Sequence, residues 1–401
     1  MSGAVDEASV RPHPREVRTL LRRGRLSEPF LAAKYRFSPY SACEHGCLYC
    51  DGRAERYYVE GEFDRDIVVR TNSPAVLDAE LGRLRERGIV AIGSGITDAY
   101  QPLEARLELT RRCAEALERH GRAAAVLTKS ALAGRDLDLW APVNARAGFV
   151  LLVSLVFADD AARAVFEPRA APVAARLEML AAFKRRGCSV GVLAMPLLPF
   201  ICDSRDGIAT LLARLLEVPV DFVIPGGLTL RPGRQKAVFM ETLRRERPDL
   251  AGRYEELYRE NRASGAPRAA YGRELERRCA SLIREHGLPA LVPHAVYRSR
   301  LELYDELHVL LLHMIEIYRD RGVDSAPLRE AQRRYAAWLL PRKAEYDRRR
   351  TWSHARLADE LRALAGSCEL ETLLANGRLA AFVRQVVLER RTFDYVGARL
   401  T

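Results

Sequence analysis

Cys43-Glu44-His45-Gly46-Cys47-Leu48-Tyr49-Cys50 sets three thiols at positions i, i+4 and i+7. That spacing can hold three irons of a four-iron, four-sulfur cluster and leave the fourth iron open to a small molecule, because thiolates are the usual ligands of such clusters. The competing reading is zinc. A structural zinc site wants four nitrogen or sulfur ligands, usually from two paired units, and no second unit is present. His45 could complete a set of four, but it lies inside the same tight loop and would crowd a tetrahedral ion. It reads better as a loop residue beside the ligands.

Working outward, a chain of 401 residues with 48% hydrophobic content suits an enzyme core of about 250 residues with an added segment. The other five cysteines (Cys113, Cys188, Cys202, Cys279, Cys368) are scattered singly, unlike a disulfide framework, so a reducing, cytoplasmic setting is expected. No apolar run approaches the roughly 20 residues of a membrane span, and the first residues do not read as a signal peptide. The net charge of +11 raises nucleic acid as a partner. Only five of the 64 basic residues are lysine, however, and such an arginine bias beside much alanine fits GC-rich coding. The runs Arg22-Arg23-Gly24-Arg25, Arg244-Arg245-Glu246-Arg247 and Arg348-Arg349-Arg350 therefore read as solvated faces before they read as phosphate tracks.

Residues 1–30 form a basic lead-in made extended by Pro12 and Pro14. Beyond it, short apolar runs alternate with helical patterns. Strands are expected near Ala33 to Arg36 and at 89–93, 124–128, 150–155, 190–195 and 222–224. The last five lack clean period-two alternation, as parallel strands buried on both faces do. Helices are expected near 76–87, 106–120, 135–146, 172–186 and 204–217, several closing on glycines such as Gly88, Gly121 and Gly187. Six βα units with right-handed crossovers wind into an open barrel over residues 31–290. From about 291 to 401 the strands stop and the chain reads helical, notably over 301–321 and 328–350.

Chemistry in parallel βα folds gathers at the C-terminal ends of the strands. After the second strand, Gly93-Ser94-Gly95-Ile96-Thr97-Asp98 offers glycines for close backbone approach and, at Thr97 and Asp98, acceptors for an ammonium. Lys129 ends the third strand and suits a small ligand's carboxylate. Ser154 sits inside the fourth, where a buried hydroxyl needs a partner, a ligand or equally the backbone. Glu167-Pro168, Pro196 to Pro199 and Pro225 to Arg231 read as turn punctuation.

With Tyr49 just before the last cysteine, these blocks resemble the radical S-adenosylmethionine (radical SAM) superfamily. The further blocks Ser38-Pro39-Tyr40, Thr97 to Glu104, Thr128-Lys129-Ser130, Arg135-Asp136 and Glu167-Pro168 resemble its spore photoproduct lyase-like branch, over about residues 35 to 290. The resemblance implies an α/β fold, a partial (β/α)6 barrel of radical SAM type with a helical C-terminal extension. It implies a 4Fe-4S cluster on Cys43, Cys47 and Cys50, S-adenosylmethionine at its open iron, and a reducing electron donor such as flavodoxin or ferredoxin. Tyr49 is then expected near the adenine, Lys129 and Ser154 on the cofactor, and Gly93, Ser94, Gly95, Thr97 and Asp98 along its methionine end. The lyase uses a cysteine in the loop after the second strand as hydrogen donor; here Gly95 falls near that place, so dimer repair does not carry over and the substrate is open. Of the thiols outside the cluster motif, Cys202 follows the fifth strand and is the one expected on the reactive face. A nucleic-acid lesion-repair lyase and a non-catalytic zinc or iron-sulfur module are the alternatives.

Overall fold

The computed structural model describes residues 10–24, 26, 30–93, 95–349 and 351–401. Before the cysteine loop come strands β1 (Arg11–Arg15), β2 (Arg22–Arg23), β3 (Ala33–Phe37) and β4 (Tyr40–Ser41). After it come β5 (Asp66–Arg70), β6 (Ile89–Ile92), β7 (Ala124–Thr128), β8 (Phe149–Ser154), β9 (Ser189–Leu197) and β10 (Phe222–Gly227). The main sheet runs β10-β9-β8-β7-β6-β3-β2, parallel throughout except for the antiparallel edge pair of β2 with β3. All six expected strands are present, in an unbroken parallel order that short βα crossovers produce.

The sheet is covered on both faces, which is why its strands lack a polar side. Val90, Val126, Leu151, Val153, Val190 and Val192 pack with Leu77, Leu117, Trp140, Phe183 and Leu212 of the intervening helices. The alternate residues Ile89, Ala125, Val150, Leu152, Leu193 and Ile224 pack instead with Tyr304, Leu307, Leu310 and other residues of the C-terminal helices. Helix Leu303–Asp320 is buried along most of its length, as an element laid against a sheet must be. A buried ion cluster fastens it. Lys34 of β3 lies 2.6 Å from Asp305 and 2.7 Å from Glu86, and Lys343 reaches Asp305 at 2.5 Å.

Several boundaries differ from the sequence reading. The expected helix at 76–87 is Ser73–Leu81. It starts early because Pro74 suits a first turn, and Gly88 serves close approach, since a Cβ there would meet Lys34 at 2.7 Å. The helix expected at 106–120 is split at Glu108 into Glu104–Leu107 and Leu109–Arg119. The lead-in is not featureless: β1 pairs in parallel with β5, a strand missed in the sequence, and β4 joins β5 from the other side. Strands do not stop altogether after 291. Phe393–Asp394 and Arg399–Leu400 form a small antiparallel pair, β11 and β12. Its turn is held by Asp394, which accepts from Val396 N–H and Gly397 N–H.

Candidate functional site

The loop between β4 and β5 carries the three cysteines, and the surroundings hold it on every side. Cys43 N–H donates to Phe63 O, and Gly46 N–H turns back to Cys43 O. Arg53 donates to the carbonyls of Gly46 (2.8 Å) and Cys47 (3.0 Å). Glu44 N–H donates to Gln101 Oε1, while its carboxylate accepts from Leu103 N–H. Gly46 has φ +65°, and a Cβ there would meet Arg169 at 2.8 Å, so only glycine makes this turn unstrained. All eight cysteines are free thiols.

A second clasp comes from the segment after β8. Phe166 O accepts from Leu48 N–H at 3.0 Å and Arg169 N–H reaches His45 O. Between them the Glu167 carboxylate accepts from the Tyr49 hydroxyl and, at 2.5 Å, from Arg176 Nη2. Both side chains of the Glu167–Arg176 pair are wholly buried. Arg176 spends its remaining donors on Ser154 O and Ala171 O, each at 2.8 Å. Burial opposes ionisation of Glu167, but the cations Arg176 and Lys129 outweigh it and hold the carboxyl below its ordinary range. The sequence reading took Glu167-Pro168 alone as punctuation and did not single out Arg176. The available signal was an arginine inside the apolar helical run Val173 to Leu180.

Lys129, Ser154 and Tyr49 meet. Lys129 Nζ donates to Ser154 Oγ at 2.5 Å and stands 5.7 Å from the centre of the Tyr49 ring. Ser154 in turn donates to Met195 O. Ser154 continues the Val150, Leu152 series and therefore shares the sheet face that the C-terminal helices cover lower down. This assembly sits at the C-terminal strand ends, where ligands of open α/β sheets bind.

The turn after β6 has a different job in this structure. Gly93 has φ +90° and its N–H donates to Phe37 O, while Gly95 is exposed with nothing within 4 Å of a would-be Cβ. Thr97 donates to Ala42 O at 2.6 Å. Asp98 accepts from Thr128 Oγ1, Lys129 N–H and Tyr100 N–H, and lies 3.3 Å from His45 Nδ1. Burial opposes its charge, yet His45 and these bonds keep its carboxyl below the ordinary range. Both side chains thus tie β6 to β7 and to the cysteine loop. Ser94 lies outside the described residues. Cys202 is buried after β9, its sulfur accepting from Leu198 N–H at 3.2 Å, and burial pushes its thiol up to about 12.

Three cysteines on one loop suit a cluster, which thiolates ligate, better than a structural zinc, which wants four ligands. Elsewhere among the described residues, Glu86, Asp347 and His354 bring three metal-binding donors together. That trio already holds cations: Glu86 pairs with Lys34 and Arg23. Burial raises all three cysteine thiols, Cys47 to about 12, with nearby charges adding to the effect at Cys43. Burial of this kind disfavours the free thiolate, which a bound metal would stabilise.

No protein-family model matches the chain. It is 34% identical over 263 residues to the uncharacterized protein Rv2578c of Mycobacterium tuberculosis, covering 64% of this chain and 76% of that one. The uncharacterized protein MJ0683 of Methanocaldococcus jannaschii is 31% identical over 109 residues, 27% of this chain and 40% of the other. Among solved structures, spore photoproduct lyase complexed with dinucleoside spore photoproduct superposes with a TM-score of 0.51 at 17% identity, over 69% of this chain and 79% of the lyase. No described helix is long and apolar enough to cross a membrane. The chain belongs to the same family as Rv2578c, and its fold is that of the spore photoproduct lyase-like branch of radical SAM proteins.

Proposed function

We propose that this protein is a radical SAM enzyme whose cluster is held by Cys43, Cys47 and Cys50. The observation that carries the reading is the meeting of Lys129, Ser154 and Tyr49 beside three free cysteines on one loop, Cys43 and Cys47 buried and Cys50 partly so. Bound there, a 4Fe-4S cluster supplies an electron that cleaves S-adenosylmethionine to methionine and a 5'-deoxyadenosyl radical.

The chain's own residues bind, orient and exclude water. Lys129 brings a cation to the cofactor's carboxylate, exchanging its bond to Ser154 for a charge-assisted one. Tyr49, fixed by Glu167, offers a ring face to the adenine. Gly93 and Gly95 leave room along the methionine end. Cys202 is the thiol outside the cluster assigned to the reactive face. Residues 31–290 make the catalytic unit, a partial barrel of six βα units, and residues 291–401 are its helical extension. The substrate is left open, and no lyase activity is assigned.

The test is anaerobic reconstitution with iron and sulfide, a strong reductant, and chromatography for 5'-deoxyadenosine. The expected outcome is about four irons per chain, S-adenosylmethionine-dependent 5'-deoxyadenosine, and loss of both in Cys43→Ala, Cys47→Ala or Cys50→Ala. Stoichiometric zinc with no iron after reconstitution would sink the proposal.

A further inference from the structure

The N-terminal strands concentrate positive charge for which the radical chemistry has no use. Strand register sets Arg15 beside Arg70 in the parallel pair β1 and β5, and Arg22 opposite Arg36 in the antiparallel pair β2 and β3. Side chains directly opposite in an antiparallel pair stand about 5 Å apart, and like charges there destabilise the sheet. Arg70 joins the two pairs. Its guanidinium donates to Ser38 O (3.0 Å) and Tyr40 O (2.6 Å), while burial, Arg22 and Arg15 together pull its pKa down.

Neutralisation separates this run from the other basic runs. Arg244, Arg245 and Arg247 pair with Glu255, Glu246 and Asp249, and Arg349 pairs with Glu345. Arg23 pairs with Asp347. Among the described residues, Arg15, Arg22, Arg36 and Arg70 have no carboxylate partner. Glu16, the one carboxylate between Arg11 and Arg23, makes no ion pair among the described residues either. Arg15, Arg22 and Arg36 are exposed. The patch borders Ser38-Pro39-Tyr40, the segment that leads into the cysteine loop.

We propose that Arg15, Arg22, Arg36 and Arg70 form a docking surface for the phosphodiester backbone of a nucleic acid. Four guanidiniums held together against their own repulsion are stabilised by a partner carrying several closely spaced anions, and arginine's planar fork matches phosphate. An acidic protein fits less well. Protein interfaces centre on aromatic and apolar groups with charge depleted, whereas nucleic-acid interfaces are polar and strongly positive. None of the exposed large hydrophobics belongs to β1, β2 or β5. The proposal is independent of the cluster and its reaction.

The test is fluorescence anisotropy of the full-length apo-protein with a labelled single-stranded DNA oligonucleotide of mixed sequence, titrated with salt. Each phosphate neutralised contributes about 0.7 to the log–log salt slope for single strands. The double variant Arg22→Gln/Arg36→Gln is expected to lower the slope by about 1.4 and to bind several-fold more weakly at about 100 mM salt. Arg244→Gln/Arg245→Gln, from the neutralised run, should match wild type. Because a repulsive pair is removed, the double variant should also melt no lower than wild type; if it does melt lower, Arg15→Gln replaces it under the same criteria, with a slope change of about 0.7. The proposal is overturned by absence of salt-dependent DNA binding, by slopes that do not change in the patch variant, by an equal loss in the control, or by polyglutamate displacing the DNA with the same patch dependence.

Discussion

Replacing Glu167 by Gln should damage this protein far more than an isosteric change suggests. The carboxylate is wholly buried, and among the described residues its charge is the only full counterion given to the equally buried Arg176, 2.5 Å away. Gln keeps the volume and can still accept from Tyr49, but it leaves a guanidinium uncompensated in the interior. Breaking a buried pair from one side costs about 3–5 kcal/mol. Tyr49→Phe removes a single bond to the same carboxylate, worth about 1.5–3 kcal/mol, and leaves the ion pair intact. The expected order of stability is therefore wild type, then Tyr49→Phe, then Glu167→Gln. The double change Glu167→Leu/Arg176→Met should recover part of the loss, since an apolar pair of similar volume often replaces a buried ion pair without penalty. Urea unfolding of the apo-protein, followed by Trp140 fluorescence in a background with Trp338 and Trp352 replaced by Phe, reads this ordering directly. Iron uptake then separates stability from site geometry: Tyr49→Phe should still fill, and Glu167→Gln should fill incompletely because the clasp on Leu48 and Tyr49 has loosened. A Glu167→Gln protein within about 1 kcal/mol of wild type, or one more stable than Tyr49→Phe, would refute the reasoning.

Three further outcomes follow from the geometry. Lys129→Ala should leave iron content unchanged and weaken S-adenosylmethionine by about 1.5–3 kcal/mol in calorimetry; unaltered affinity would make Lys129 a partner of Ser154 alone. Asp305 is held below its ordinary carboxyl value because Lys34 and Lys343 outweigh the opposing effect of burial, so its contribution is intact above pH 3.8 and lost as pH falls through the folded value. Urea midpoints measured against pH should thus fall more steeply below that point for wild type than for Asp305→Asn, and parallel curves would contradict the assignment. Cys202→Ala should lower turnover once a substrate is in hand, with Cys188→Ala as the control; equal activity in both would remove Cys202 from the reaction.

What could be read in the sequence divides along physical lines. Five of the six strands announced themselves because burial on both faces demands apolar runs, and the cysteine loop because three thiols in eight residues leave few readings. The positions of Lys129 and Ser154 at strand ends were legible, and their contact with each other was not. Glu167 and Arg176 were not, since their meaning lies in a contact with Tyr49 across 118 residues of chain. The splitting of the helix at Glu108 and the pairing of Asp66–Arg70 with the lead-in likewise depend on tertiary partners. Thr97 and Asp98 show the opposite failing: their chemistry was visible, but the hydrogen bonds that occupy them here were not.

The C-terminal helices change what the sheet and its cysteine loop can be on their own. A polypeptide cut near residue 290 would bare Ile89, Val150, Leu152, Leu193 and Ile224 to water as one contiguous oily sheet. It would also strand the Lys34 ammonium without Asp305. Exposed apolar area of that kind drives self-association rather than folding. The helical segment is therefore the second wall of the sheet, and any attempt to transplant the cysteine loop and its strands into another protein must bring that wall along or design a replacement.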